Sequence, residues 1–150
     1  MVIRTFPDHP KAQSLNREET AMTNATEQAA RTAEQYLAAW NETEPARRRA
    51  MIVQGWAEDA RCVEPMMQGA GHAEIDAMIA AVQDRFPGFR FALHGTPDGH
   101  GDRVRFSWSL GPADAAPMAA PLAIGTDFVQ LAPDGRIGSV TGFLDQMPAA

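Results

Sequence analysis

Cysteine is nearly absent from this 150-residue chain, with Cys62 alone, so an internal disulfide and a cluster of thiolate metal ligands are both excluded and reducing surroundings suit it. Long apolar runs are missing as well. The longest, Ala77 to Val82, falls far short of the roughly 20 residues of a membrane helix. The opening MVIRTFPDHP lacks the apolar core and small-residue cleavage site of a secretory leader, so the expected location is the cytoplasm. Positive charge is scarce: 13 Lys and Arg against 19 Asp and Glu leave a net −6, which repels phosphate backbones. The one basic run, Arg47-Arg48-Arg49, reads as a solvated helix face rather than a nucleic-acid footprint, and neither nucleic acid nor membrane is an expected partner. His9, His72, His94 and His100 show no i, i+4 pairing and no carboxylate at ligand spacing, so no metal is expected, and no cofactor. Ser107 and Ser109 lack a nucleophile elbow, and Gly95, Gly99 and Gly101 belong to a hairpin rather than a phosphate loop.

What is present describes one ordinary globular domain. Hydrophobic residues make up 45% and charged residues 21%, enough to bury a core at this length. Residues 1–23 are polar and carry Pro7 and Pro10, which reads as a flexible tail, with Met22 as an alternative start; residues 24–150 form the domain. Asn24 followed by Glu27 resembles a capping box, and Ala33, Tyr36, Leu37 and Trp40 then recur at helical spacing. Glu44-Pro45 restarts the chain as a second helix ending near Gly55. Residues 60–65 form a short strand with Cys62 and Glu64 on one face and Arg61 and Val63 on the other. A third helix carries Ile75, Met78, Ile79, Val82 and Phe86, and Pro87-Gly88 ends it.

The remainder alternates as strands. Phe89, Phe91 and Leu93 lead to a turn at Pro97-Asp98-Gly99, after which Val104, Phe106, Trp108 and Leu110 face one way. The stretch 111–121 connects to a strand reaching residue 131, and Pro133-Asp134-Gly135 turns into a last strand near 136–145. Helices segregated from a mostly antiparallel sheet give an α+β fold, in which a curved sheet over three helices encloses one cavity.

Two carboxylates stand in apolar settings. Glu64 precedes Pro65-Met66-Met67, and alternation puts Asp127 on the face of Val129 and Leu131. A carboxylate among apolar side chains has its charged form destabilised, which suits a base or, kept protonated, a hydrogen-bond donor. On the residues alone, a solvated strand end for Glu64 and a backbone-bonded turn for Asp127 remain open. Cys62 reads as a small buried hydrophobe or a thiol of the pocket wall.

The run Trp56-Ala57-Glu58-Asp59-Ala60-Arg61-Cys62-Val63-Glu64-Pro65, then Gly71 with Ile75, then Gly125-Thr126-Asp127-Phe128 before Asp134-Gly135-Arg136-Ile137 and Val140-Thr141-Gly142-Phe143, resembles the nuclear transport factor 2-like superfamily. Within it the similarity is to SnoaL-like polyketide cyclases and ketosteroid isomerases, over roughly residues 24–147. The resemblance implies a cone-shaped α+β barrel around one ligand pocket, paired into a homodimer through the outer face of the sheet. It also implies roles. Glu64 falls at the isomerase base, one methylene longer than the family's Asp, Tyr36 at the oxyanion tyrosine, and Asp127 at the neutral aspartic acid that assists it.

The implied chemistry is proton abstraction alpha to a carbonyl of a small apolar ligand, without a cofactor. In a fold whose concave sheet is both core and pocket wall, Trp40, Trp56, Met67, Phe106, Trp108, Phe128 and Phe143 are expected to line the ligand site, Phe106 and Trp108 foremost. A non-catalytic ligand-binding or dimerisation module on the same scaffold is one alternative. An epoxide hydrolase or dehydratase is another; it needs an arginine or a second acid to activate water, and Arg90 or Arg105 would then have to point inward, whereas alternation predicts that they point outward.

Overall fold

The computed structural model describes residues 10–147. Three helices and six strands follow in the order α1 (Pro10–Asn41), α2 (Pro45–Gly55), β1 (Trp56–Glu64), β2 (Met67–Ala70), α3 (His72–Arg85), β3 (Phe89–His100), β4 (Arg103–Pro112), β5 (Ala123–Leu131) and β6 (Ile137–Gln146). The strands form one mixed sheet in the order β2-β1-β6-β5-β4-β3. Only the β1–β6 pair is parallel. The α+β class agrees with the sequence reading, but the sheet does not close: β2 and β3 remain its two edges. No helix among the described residues is long and apolar enough to cross a membrane.

The first helix departs from expectation. It is already helical at Pro10 and runs unbroken through Asn24, so it does not begin at the capping box; residues 1–9 of the expected tail lie outside the described residues. Burial begins only further on, with Ala29, Ala33, Tyr36, Leu37 and Trp40 forming one apolar stripe. That stripe lies on β3, and Gly99 makes the close approach possible: a Cβ there would sit 3.2 Å from the Ala29 Cβ and 3.0 Å from the Arg103 carbonyl. Pro97-Asp98-Gly99 is therefore not the turn. It continues β3 across an irregularity between His94 and Asp98, and the chain reverses at Gly101, whose φ of 55° suits glycine.

Glu44 caps α2 by accepting from the backbone N–H groups of Ala46 and Arg47, and Pro45 opens it. The Arg47-Arg48-Arg49 run is not a uniformly solvated face. Arg48 is only 4% exposed and donates to Asp76 Oδ1 at 2.6 Å, Gln83 Oε1 at 3.0 Å and the Glu42 carbonyl at 3.2 Å. Gln83 in turn donates to the carbonyls of Trp40 and Glu42. One buried guanidinium thus ties the end of α1 to α2 and α3, and the three planar donor directions of Arg explain why that position takes it.

Strand β1 is longer than expected, and β2, absent from the sequence reading, returns from it through the tight turn at Pro65-Met66 with Glu64 opposite Met67. Along β4, Val104, Phe106, Trp108 and Leu110 all face inward, as alternation requires.

Candidate active site

Strand register builds the site. Asp127 on β5 pairs with Gly142 on β6, and β1 runs beside β6 with Cys62 opposite Val140 and Val63 opposite Thr141. The next inward residue of β1 is Glu64, so Glu64 and Asp127 flank Gly142 from the two neighbouring strands. A Cβ on Gly142 would fall onto the Glu64 carboxylate and 2.6 Å from Asp127 Oδ1. Both carboxyl groups therefore occupy the space over one glycine.

Tyr36 descends on them from α1. Its hydroxyl donates to Glu64 Oε1 at 3.3 Å, a long bond for an O–H donor, and its ring is held by Phe106, Trp56 and Trp40 with centroids 5.0, 5.8 and 5.9 Å away. The Cys62 thiol also points at Glu64 Oε1, at 3.8 Å. Asp127 is 0% exposed, and neither of its oxygens meets a hydrogen-bond partner among the described residues.

These surroundings set the protonation. Burial, then the charge of Asp127, pushes Glu64 up to about 8, against hydrogen bonds from Tyr36 and Cys62. Burial likewise pushes Asp127 up to about 6; Tyr36, the Trp108 indole and Glu64 lie near enough to draw it back, although none meets it in hydrogen-bond geometry. Two carboxyls this close do not ionise independently, and the pair keeps one proton between them near neutrality. Tyr36 is pushed well above the phenol range by burial and then by the neighbouring Asp127, Cys62 and Glu64, so it stays a neutral donor. Burial and Glu64 also push the Cys62 thiol up, which leaves it protonated and unreactive.

Above this cluster opens a cavity of about 380 Å³, a size that takes a small molecule. Tyr36 and Glu64 reach its wall, together with Trp40, Met67 and Trp108. Trp108 lies flat over Gly125, where a Cβ would overlap the indole. Asp127 is not part of the wall. Trp56 and Phe106 are not part of the wall either; they are buried behind Tyr36 and hold its ring.

Phe128 and Phe143 lie on the other face of the sheet, 45% and 54% exposed, where they pack edge to face. As pocket residues they are corrected, because alternation turns each of them away from its inward neighbours Asp127 and Gly142. Arg90 and Arg105 are exposed, and Arg105 pairs with Asp98 at 3.1 Å. His72 bonds the Trp56 carbonyl at 2.8 Å, and no group of three or more potential metal ligands occurs among the described residues.

Sequence reasoning missed two features of the site. Gly142 and Gly125 interrupt strands, and glycine inside a strand signals that something approaches the backbone closely. Arg85, at the end of α3, also lines the cavity, and nothing in its local sequence distinguishes it from an ordinary helix-end cation.

Comparison with known proteins fits this arrangement. The profile of the SnoaL-like domain matches residues 33–140. The chain belongs to the SnoaL-like family. A crystal structure of a SnoaL-like family member from Agrobacterium tumefaciens, described as a candidate isomerase, is 51% identical, with a TM-score of 0.74 over 79% of this chain and 98% of that one. A SnoaL-like protein from Jannaschia, described as a candidate polyketide cyclase, shares the fold at 17% identity, with a TM-score of 0.62 over 81% of this chain and 88% of that one. A protein of ketosteroid isomerase-like fold from Catenulispora acidiphila, crystallised with trimethylamine, shares it at 16% identity and a TM-score of 0.60, over 75% and 83% of the two chains. No functionally curated protein matches the sequence.

The raised carboxyls make stability depend on pH in a definite sense. Glu64 and Asp127 hold their protons more tightly folded than unfolded, so their contribution is full below the ordinary carboxylate range and is lost as pH rises through about 6 and then about 8. Glu44 and Asp134 are held low chiefly by backbone N–H groups of Arg47 and Arg136, and they act in the opposite sense only below their ordinary range. The melting temperature should therefore fall between about pH 5 and about pH 9, and Asp127→Asn should flatten that fall. A wild-type profile that is level or rising across this interval contradicts the assignment.

Proposed function

We propose that the pocket performs cofactor-independent acid/base chemistry at a carbon alpha to a carbonyl, of the isomerase or cyclase type. The observation that carries this reading is a pair of carboxyls facing each other over Gly142, under a tyrosine hydroxyl, at the inner end of a largely apolar cavity. The shared proton rests mainly on Glu64, which holds it more tightly; in the form that carries it on Asp127, Glu64 is the anion, and of the two carboxyls it alone reaches the cavity. It takes the proton from the carbon, and the electron pair of the C–H bond moves onto the carbonyl oxygen. Tyr36, released from Glu64, donates to that oxygen as its charge develops; such a donor is worth about 3 kcal/mol of barrier. Glu64 then returns the proton to a second carbon, or the enolate carbon attacks a second carbonyl carbon of the ligand, whose C=O π pair moves onto its oxygen and takes the proton from Glu64. Asp127 is not a direct donor to the ligand in this scheme: it holds the shared proton while Glu64 acts as the base.

Arg90 and Arg105, the arginines that a hydrolase reading needs inward, are exposed. Phe128 and Phe143 on the outer face support pairing of two copies there. Light scattering over a range of concentrations should give the dimer mass, and a monomer throughout contradicts the pairing.

Planar phenols such as 2-naphthol mimic the enolate and test the site directly. Quenching of Trp40 and Trp108 fluorescence should report binding to wild type. Glu64→Gln, which removes the charge facing the phenolic oxygen, should bind about tenfold tighter, the equivalent of about one charge-assisted hydrogen bond. Asp127→Asn, which leaves Glu64 ionised, should bind more weakly. Absence of binding to wild type and both folded variants would shift the protein to the non-catalytic alternative.

A further inference from the structure

The cavity is polar at more than its inner end. Glu64 and Tyr36 mark that end, at the level where Asp127 pairs with Phe106. Four residues along β5, Ala123 pairs with Leu110, and both line the cavity; at a strand rise of about 3.3 Å per residue the two levels are about 13 Å apart. Arg85 belongs to the outer level. It is the last residue of α3, its guanidinium leans over the Phe86 ring at 5.8 Å, and Phe86 packs on Phe89, which pairs with Pro112 just beyond Leu110.

Among the lining residues Arg85 is the one cation, and like Arg49, Arg61 and Arg90 it enters no ion pair among the described residues; what sets it apart is its place in the cavity wall. Between the two ends the wall is aromatic and aliphatic, with Trp40, Phe91, Trp108 and Val82. In a chain of net charge −6, an unpaired guanidinium at the rim of an apolar slot is a local exception. Its planar fork suits a carboxylate.

We propose that Arg85 receives a carboxylate of the ligand, so that the substrate class is an elongated, flat, apolar carboxylic acid whose reacting carbonyl lies at the end remote from the acid group. This deepens the acid/base reading of the inner end and rests on it. The carboxylate is excluded from that inner end, where Glu64 and Asp127 would repel it, so the charge also fixes which end of the molecule enters first.

Three probes separate the possibilities by calorimetry: 2-naphthol, 6-hydroxy-2-naphthoate with its two polar groups at opposite ends of the ring system, and 3-hydroxy-2-naphthoate with them adjacent. Wild type should bind 6-hydroxy-2-naphthoate about tenfold tighter than 2-naphthol, and 3-hydroxy-2-naphthoate more weakly than either. Arg85→Gln, at an exposed position, should abolish the tenfold gain, so that 6-hydroxy-2-naphthoate binds no tighter than 2-naphthol does to the same variant; Arg85→Lys should keep part of the gain. If 2-naphthol binds but the 6-carboxylate adds nothing, or its gain survives Arg85→Gln, the Arg85 proposal is overturned while the inner site stands. If none of the three binds wild type, the proposal falls together with the reading of the inner site.

Discussion

The space over Gly142 governs the rest of the site. Three adjacent strands bring Glu64, Gly142 and Asp127 into one row, and any side chain on the middle one would occupy the place where the two carboxyls meet. Burial alone would favour neutral acids, and proximity alone would favour one anion beside one acid. Their combination leaves a pair that holds one proton between two carboxyls. Such a pair costs stability as pH rises, and the surrounding core offsets that cost.

The other elements serve this row. The α1 stripe carries Tyr36 over it, and Gly99 on β3 lets the helix approach closely enough. Arg48 and Gln83 tie the end of α1 to α2 and α3 through the Trp40 and Glu42 carbonyls, so the helix that carries Tyr36 and Trp40 cannot shift without breaking part-buried hydrogen bonds, each worth about 1 kcal/mol. Phe106 and Trp56 hold the tyrosine ring, while Trp108, lying on Gly125, forms the wall above the row. The residues with chemistry are few; most of the fold is devoted to placing them in dry surroundings, where a carboxylate is a stronger base.

Much of this was legible in the sequence wherever a period was clear. Alternation put Glu64 with Cys62, Asp127 with Val129, and Phe106 with Trp108, and the third helix and its stop at Pro87-Gly88 followed from spacing. The failures have specific causes. Phe128 and Phe143 were assigned to the pocket by residue type, although the alternation that turns Asp127 inward turns Phe128 outward. Pro97-Asp98-Gly99 has turn composition, yet tertiary packing of α1 uses Gly99 for close approach instead. Arg48 looks like its solvated neighbours because its partner Asp76 is distant in sequence. The helical extension before Asn24 carries no apolar stripe to reveal it. Gly142 was visible as a residue, but its role depends on a parallel pairing of the first and last strands that no local pattern announces.

The central claim is that Glu64 and Asp127 share a proton. It is tested most directly by following the side-chain carboxyl carbons of both residues by NMR as pH is varied, in wild type and in Asp127→Asn. Both carboxyls should titrate above the ordinary carboxylate range in wild type, and Glu64 should drop back toward that range once the neighbouring charge is removed. Two independent titrations near about 4, with Glu64 unmoved by Asp127→Asn, would contradict the account.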